Sequence, residues 1–551
     1  VGGFKASATL STRERDGFYD NVPDPVGIPL AGPPSGSEFQ SQQSDAARVA
    51  VQWDISEDWT ANYAFDYSDQ DNDPRLGQLT QTSLNSFLSS GGLQDAYLTN
   101  EDDRADRASN DKAFYERAES QGHALDLTWT GENIQLRSIT AYRELEFEDL
   151  LDIDGTPIDV FSSGRFVEYD SFSQEFQISG STDRLDYLFG LFYFREDADV
   201  FNPITFFGAF GVPTSNNRYG LEGESIAAFG QVDWRPEAFE DRLTVTLGLR
   251  WTEEEKDQYV EQPGNYAAQA DDTFNNTSPA LALAYAITDD VNVYGRVALG
   301  WKSGGFNGEA SSEARFLNAY DDEEVTSYEL GIKSRLMDGR LQVNAAVFYN
   351  DIENFQLSVF EGAAAASLVE NVPEFVTQGF ELEAIAQVTE DLRLNLSYGY
   401  LDAEYEEFSN DFTLFSKDEA GVPYSPENSL SLGLDWTIAR TSWGEWDFHA
   451  DYAYRDDYTP FIDPDQVAAS QIESRSLLNA RLALRDVELG GGMLTVALWG
   501  QNILDEEYRI NTIPFGGVDQ QVVPGAGSGV GWTASYFGDP RTYGVEVRYD
   551  F

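Results

Sequence analysis

Four short stretches carry residues whose types and spacing could do chemistry. "DQDNDP" (69–74) spaces oxygens like the start of a calcium loop. Pro74, however, stands where such a loop needs a glycine turn, and Thr80 where it needs a bidentate Glu. "DIDGTPID" (152–159) sets Asp152, Asp154 and Asp159 around an Asp-Gly turn, so these carboxylates either gather a cation or build the turn itself. His449 lies between Asp447 and Asp451 in "EWDFHADYAYR". On a strand all three share one face, which suits a proton or metal site, or a plain hydrogen-bonded row. "WKSGGFN" (301–307) follows Gly300 and contains Gly304 and Gly305, which permit close backbone approach to a ligand or a turn. No Gly-x-Ser-x-Gly motif occurs. With only His123 and His449 in the chain, a multi-His metal centre is excluded and a Ser-His site is disfavoured. These residues read as a protein that is not an enzyme, with no cofactor beyond Ca²⁺ held loosely in acidic loops.

Composition narrows the class. Lys plus Arg total 35 and Asp plus Glu total 96, so formal charge is 35 − 96 = −61. A chain this acidic lacks the basic footprint that nucleic acid requires. Its 28 Tyr, 36 Phe and 11 Trp argue against disorder, which goes with acidity and few aromatics. There is no cysteine, hence no disulfide or thiolate site. No apolar run approaches the ~18 residues of a transmembrane helix. "VGGFKASATL" has no charged-then-apolar leader and already alternates, so the polypeptide is expected to begin further upstream.

The elements that must position these residues are strands. "DRLTVTLGLRW" puts Leu243, Val245, Leu247, Leu249 and Trp251 on one face and Arg242, Thr244, Thr246, Gly248 and Arg250 on the other. About twenty such segments follow one another, many longer than the usual five or six residues. Tight connections at 56–58, 130–133, 288–290, 337–339, 389–391 and 489–492 alternate with long ones. The long ones are near 16–45, 69–120, 147–165, 197–219, 256–272, 302–324, 353–373, 406–425, 457–472 and 502–539. That alternation predicts a transmembrane antiparallel β-barrel with short periplasmic turns, long extracellular loops and both chain ends at the periplasmic rim. Trp53 and Trp59 flank one turn, Trp129 precedes another and Trp436 lies beside a turn at 438–444, as membrane-interface aromatics would. Arg137, Arg250, Arg296, Arg393 and Arg481 face the lumen, with Glu381 and Glu383 among their expected partners. The last strand, "RTYGVEVRYDF", turns Tyr543, Val545, Val547, Tyr549 and Phe551 to lipid and is expected to close the barrel.

Five stretches in order resemble TonB-dependent outer-membrane receptors: "VYGRVALGWKSGGFN" (293–307), the Tyr-Glu-Leu-Gly hairpin at 327–357, "VTQGFELEAIAQV" opening the hairpin 376–405, "LWGQNILDEEY" (498–508) and "PRTYGVEVRYDF" (540–551). Ile503 departs mildly from the fourth. The family's barrel has twenty-two strands and an internal plug preceded by an energy-coupling box. The resemblance therefore implies that 1–551 is an outer-membrane barrel domain showing about twenty of twenty-two strands, with "FKASATLSTRERDGFYDN" similar to the third. It implies a Gram-negative outer membrane with lipid and lipopolysaccharide around the wall. It also implies partnership with the plug and with a TonB-type coupling protein. The solute is small, scarce and bulky, a ferric siderophore by default, with carbohydrate, cobalamin or an aromatic compound as alternatives. Phe306, Asn307, Tyr320, Asp152 and Asp154 are its candidate contacts in the loops, and the terminal Phe551 resembles the family's assembly signal. A passive porin or structural barrel is the competing reading.

Overall fold

Strict alternation over ten or more residues buries nothing unless each strand finds two neighbours and each face its own medium, and the chain solves this with one large sheet. The computed structural model describes all residues except 1–2, 25–26, 28–30, 33–37, 83–102, 106, 112–113, 362–365, 409–415 and 516–531. Parts of the long connections 16–45, 69–120, 353–373, 406–425 and 502–539 thus lie outside the described residues. Among the described residues the sheet has twenty strands. They begin with β1 (Phe4–Arg15), β2 (Gln42–Asp54), β3 (Trp59–Asn72), β4 (Tyr115–Thr130), β5 (Ile134–Asp152), β6 (Phe161–Ser181) and β7 (Leu185–Phe206). Then come β8 (Ser215–Trp234), β9 (Leu243–Gln262), β10 (Tyr266–Thr288), β11 (Val291–Lys302), β12 (Glu323–Leu336), β13 (Leu341–Glu361) and β14 (Ala366–Gln387). The last are β15 (Leu392–Glu407), β16 (Asn428–Thr441), β17 (Gly444–Arg455), β18 (Arg475–Leu489), β19 (Gly492–Gln501) and β20 (Thr542–Asp550). Each pairs antiparallel with the next.

The two faces divide as the alternation requires. Leu247 stands opposite Leu281 and Val245 opposite Leu283. Leu247, Leu249, Leu330, Val347, Leu498, Val545 and Val547 are each more than half exposed on the outer face. A water-soluble protein does not display an apolar belt of this extent; lipid is the medium that suits it. Among the described residues no helix is long and apolar enough to cross a membrane. The inner face is polar. Arg481 pairs with Glu546 at 3.0 Å, Arg137 with Asp126, and Asp435 lies 2.7 Å from Nδ1 of His449. Arg137 and Arg481 thus meet carboxylates, but neither Glu381 nor Glu383 is the partner. Arg250 donates to Thr252 and Arg393 to Asn395, while Glu383 accepts from Asn344.

Short turns gather at one rim. Gly490 and Gly491 both adopt positive φ (61° and 96°), which a two-residue hairpin turn demands and a β-carbon would oppose. Trp59 lies opposite Trp129 beside this rim and Trp53 opposite Phe4. One turn was misplaced by sequence: β16 continues to Thr441, so the turn is 442–443 and Trp436 lies inside the strand, opposite Leu392 and Phe448. Two long connections were also misjudged. β9 and β10 run on to Gln262 and Tyr266, and β13 and β14 to Glu361 and Ala366. β10 has 23 residues, against ~9–11 needed to cross a bilayer. The polar upper halves therefore stay paired beyond lipid, where composition alone reads as loop.

β20 pairs with β19, and β1 with β2; among the described residues neither has a second strand partner. The strand expected to close the barrel is thus one bank of a seam. The seam is bridged at the long-loop rim: Asp539 ion-pairs with Arg15 (3.5 Å) and Arg75 (3.0 Å), and Gln40 donates to it at 3.4 Å. Arg15 at the end of β1 and Asp539 just before β20 are thus held together at that rim, while the two strands share no ladder among the described residues.

Candidate functional site

The loops above the long rim pack into several small cores, and these decide which side chains a solute meets. In the first, Ile153, Ile158, Val160 and Phe161 bury against Leu79, Phe515 and Trp532. A three-stranded loop sheet, Arg509–Phe515, Trp532–Phe537 and Gln78–Thr82, carries the opposing residues. Asp152 and Asp154 lie under this core and are both buried. The Asp154 carboxylate accepts from the Thr156 N–H (2.9 Å) and hydroxyl (2.6 Å), and from the N–H groups of Val160 (3.2 Å) and Phe161 (2.8 Å). Asp152 accepts the Asp154 N–H at 3.3 Å. Burial pushes Asp154 up to about 7 and Asp152 well above the carboxylate range, with the Asp154 charge adding to the latter. Four donors favour the charged form of Asp154, so Asp152 is the group that keeps a proton. This geometry builds a loop; it does not present two carboxylates to solvent.

The other three predicted contacts lie in or beside the second core. Phe306 is buried with Val260, Ala310, Phe316 and Leu368. Asn307 mimics a strand: its Nδ2 donates to the Val369 carbonyl (3.1 Å) and its Oδ1 accepts the Val369 N–H (2.7 Å). Tyr320 and Gly305 exchange backbone hydrogen bonds of 2.9 and 3.1 Å. At Gly304 a β-carbon would sit 2.4 Å from the Tyr320 carbonyl oxygen, so the glycine serves close packing within the loop. Phe306, Asn307 and Tyr320 are brought together, with Tyr320 half-buried; Asp152 and Asp154 belong to the separate first core. A cavity of ≈ 290 Å³ opens between β7, β8 and this loop, lined by Asn202, Tyr219, Gln262, Asn265 and Glu309.

"DQDNDP" is not a calcium loop. Residues 69–72 complete β3, and Asp71 ion-pairs with Arg117 at 3.0 Å. Among the described residues no group of three or more His, Asp or Glu has a geometry that could hold a metal. His449 sits in a hydrogen-bonded row between Asp435 and Asp451, and His123 Nδ1 lies 2.9 Å from the Tyr63 hydroxyl. Sequence reading passed over Arg455 and Arg475, which stand opposite each other where β17 and β18 meet the loops. Their signal was available: each occupies a lumen-parity position at a strand end.

The comparisons agree with this geometry. Residues 52–503 match the family model described as TonB dependent receptor-like, beta-barrel. The ferric yersiniabactin uptake receptor of Yersinia pestis superposes with a TM-score of 0.77 at 17% identity, over 100% of this chain and 75% of that one. The ferric preacinetobactin receptor of Acinetobacter baumannii gives 0.69 at 15% identity, over 100% and 75%. The pesticin receptor of Yersinia enterocolitica is 27% identical over 268 residues, 47% of this chain and 37% of the relative. The metal-pseudopaline receptor of Pseudomonas aeruginosa is 27% identical over 175 residues, 31% and 23%. The chain thus spans between 23% and 37% of the length of these curated relatives. With the family model covering most of the sequence and the same wall found in these receptors, the chain belongs to the TonB-dependent receptor β-barrel family.

Proposed function

We propose that the chain is the wall of an active outer-membrane importer for a scarce, bulky solute, with a ferric siderophore or a similar metal chelate as the default. The observation that carries this reading is the packed loop layer over a wide polar lumen. A passive porin gains little from loops that fold into several buried cores, whereas a capture surface needs fixed walls. Relatives named for ferric or metal chelates add support. In this reading the long loops face outward and both ends of the chain face the periplasm. Lipid and lipopolysaccharide surround the apolar belt, and the polar inner wall meets a hydrated plug driven by a TonB-type protein. Ca²⁺ associates with the acidic loops only as a loosely held counter-ion. The wall holds and seals; no covalent step falls to it. The test is accumulation of a radiolabelled ferric siderophore panel by cells making the full-length protein. Uptake that follows one chelate and stops without the coupling protein supports the proposal. Passage of any small solute regardless of coupling would return the porin reading.

A further inference from the structure

The cavity of ≈ 290 Å³ beside the second core differs in chemistry from the charged wall below it. Asn202 and Phe206 reach it from β7, Asn217 and Tyr219 from β8, and Gln262 from β9. Their parity is opposite to that of the lipid-facing Leu191, Ile226 and Leu249, so the cavity opens inward. β7 has 22 residues, and these positions lie at its far end, beyond the ~9–11 that cross lipid. In a chain with 96 acidic and 35 basic residues, the described lining has one carboxylate, Glu309, and no Lys, Arg or His. Glu309 is already engaged: it accepts the Tyr219 hydroxyl at 3.3 Å and the Ser367 N–H at 2.8 Å. An anionic group meets only repulsion here, and a cation meets a carboxylate whose two oxygens are shared.

Two unlike walls face each other. Ile204, Phe206, Val212 and Pro213 make an apolar one. Amides make the other, and a solute can reach them, because Asn217 is half-buried and Asn265 exposed. Asn217 Oδ1 accepts the Ser215 hydroxyl at 2.9 Å, while its Nδ2 has no partner among the described residues. Asn265 Nδ2 donates to Gln262 Oε1 (2.9 Å) and to the Ser311 carbonyl (3.1 Å), which leaves its Oδ1 for a ligand. This wall is fastened in advance: Gln262 Nε2 donates to the Ala310 carbonyl at 2.8 Å, tying the hairpin tip of β9 and β10 to the loop. Amide donors and acceptors match a ring hydroxyl, which both donates and accepts. The apolar wall opposite suits the C–H face of the same ring. At ≈ 290 Å³ the cavity lies at the lower end of ligand pockets, ~300–1,000 Å³, and fits a small ring unit better than a whole bulky chelate. We propose that it is a subsite for a neutral, polyhydroxylated ring, a saccharide unit, with hydroxyls on Asn217 and Asn265 and its C–H face on Val212 and Phe206. This deepens the import reading and rests on it: the captured solute carries a sugar, either as a free oligosaccharide or attached to a metal chelate.

The test uses calorimetry on the full-length receptor, in two arms that separate those sources. One arm is a panel of neutral gluco-, manno-, galacto- and xylo-oligosaccharides. The other is a glucosylated ferric catecholate beside its unglucosylated parent. Sugar-dependent binding should appear in at least one arm. A free oligosaccharide that binds identifies a glycan solute, and a preference confined to the glucosylated chelate identifies a sugar-bearing chelate. N217A and N265A should each weaken that binding roughly three- to tenfold, one neutral hydrogen bond apiece. Per-O-methylation of the sugar, which removes its donors, should weaken it at least as much. Heat-modifiable gel migration confirms that each variant is folded. No sugar-dependent binding in either arm, or equal affinity in wild type and both variants, would overturn the subsite. Energised uptake in the same cells separates the two ideas. Entry that ignores coupling sinks the import reading, whereas coupled uptake with affinity unchanged in the variants sinks only the subsite.

Discussion

Asp154→Ala should melt the loop 153–161 without unfolding the barrel. The side chain accepts four hydrogen bonds, three of them from the backbone N–H groups of Thr156, Val160 and Phe161, in a site closed to water. Alanine leaves the Thr156 and Phe161 N–H groups buried and unpaired, whereas the Val160 N–H keeps the Ile158 carbonyl at 2.6 Å. Each unpaired donor costs about 1–3 kcal/mol, so roughly 2–6 kcal/mol of local stability is lost. That exceeds what Ile153, Ile158, Val160 and Phe161 can restore once their packing on Phe515 and Trp532 loosens. The strands below keep their ladders, because β5 and β6 pair down to Ile134 and Gly180 independently of the loop. Hydrogen exchange by mass spectrometry reads the result directly. Amides at 153–161 should exchange at least roughly thirtyfold faster, the ~2 kcal/mol end of that range, and those in the lower half of β5 should not change. Unaltered protection at 153–161 would refute the assignment of Asp154 as the loop's organising acceptor.

The same loop should respond to pH. Asp152 and Asp154 have folded pKa values raised by burial, so the folded loop binds more protons than the unfolded one. Its stability is greatest below the ordinary carboxylate range and falls as pH rises towards and through about 7, the value of Asp154. Protection at 153–161, corrected for intrinsic exchange, should be higher at pH 5 than at pH 8; the reverse order would contradict the buried pair. Asp539→Ala should loosen the seam modestly. Its partners Arg15 and Arg75 are partly exposed, so each pair contributes at most about 1 kcal/mol. Faster proteolysis near 539 with a nearly unchanged unfolding midpoint is expected. Replacing 305–320 by a short glycine linker should abolish solute capture while the barrel keeps its heat-resistant mobility. Loss of that mobility would show that the segment supports the wall.

The wall was legible because its physics is local. Leu247 and Leu249 alternate with Gly248 and Arg250 whatever lies elsewhere in the chain, and a two-glycine turn at 490–491 announces itself. Strand length beyond the membrane was less legible. "EEEKDQYVEQ" reads as loop, yet β9 carries it as strand to Gln262, because ladder pairing with β10 satisfies the backbone regardless of side-chain polarity. The loops were least legible. Phe306 and Asp154 looked offered to a solute, but burial depends on segments far away in sequence, such as Leu368 over Phe306 and Trp532 over Ile153. Seam closure was beyond reach for the same reason: nothing within "RTYGVEVRYDF" states which strand stands on its far side.

The central claim, that this wall serves energised import, is tested most directly by metal accumulation in cells carrying the full-length protein, with and without the coupling protein. The account predicts accumulation of a single chelate against its gradient, abolished when coupling is removed or the membrane is de-energised. Equal entry in both strains, following the outside concentration, would contradict it.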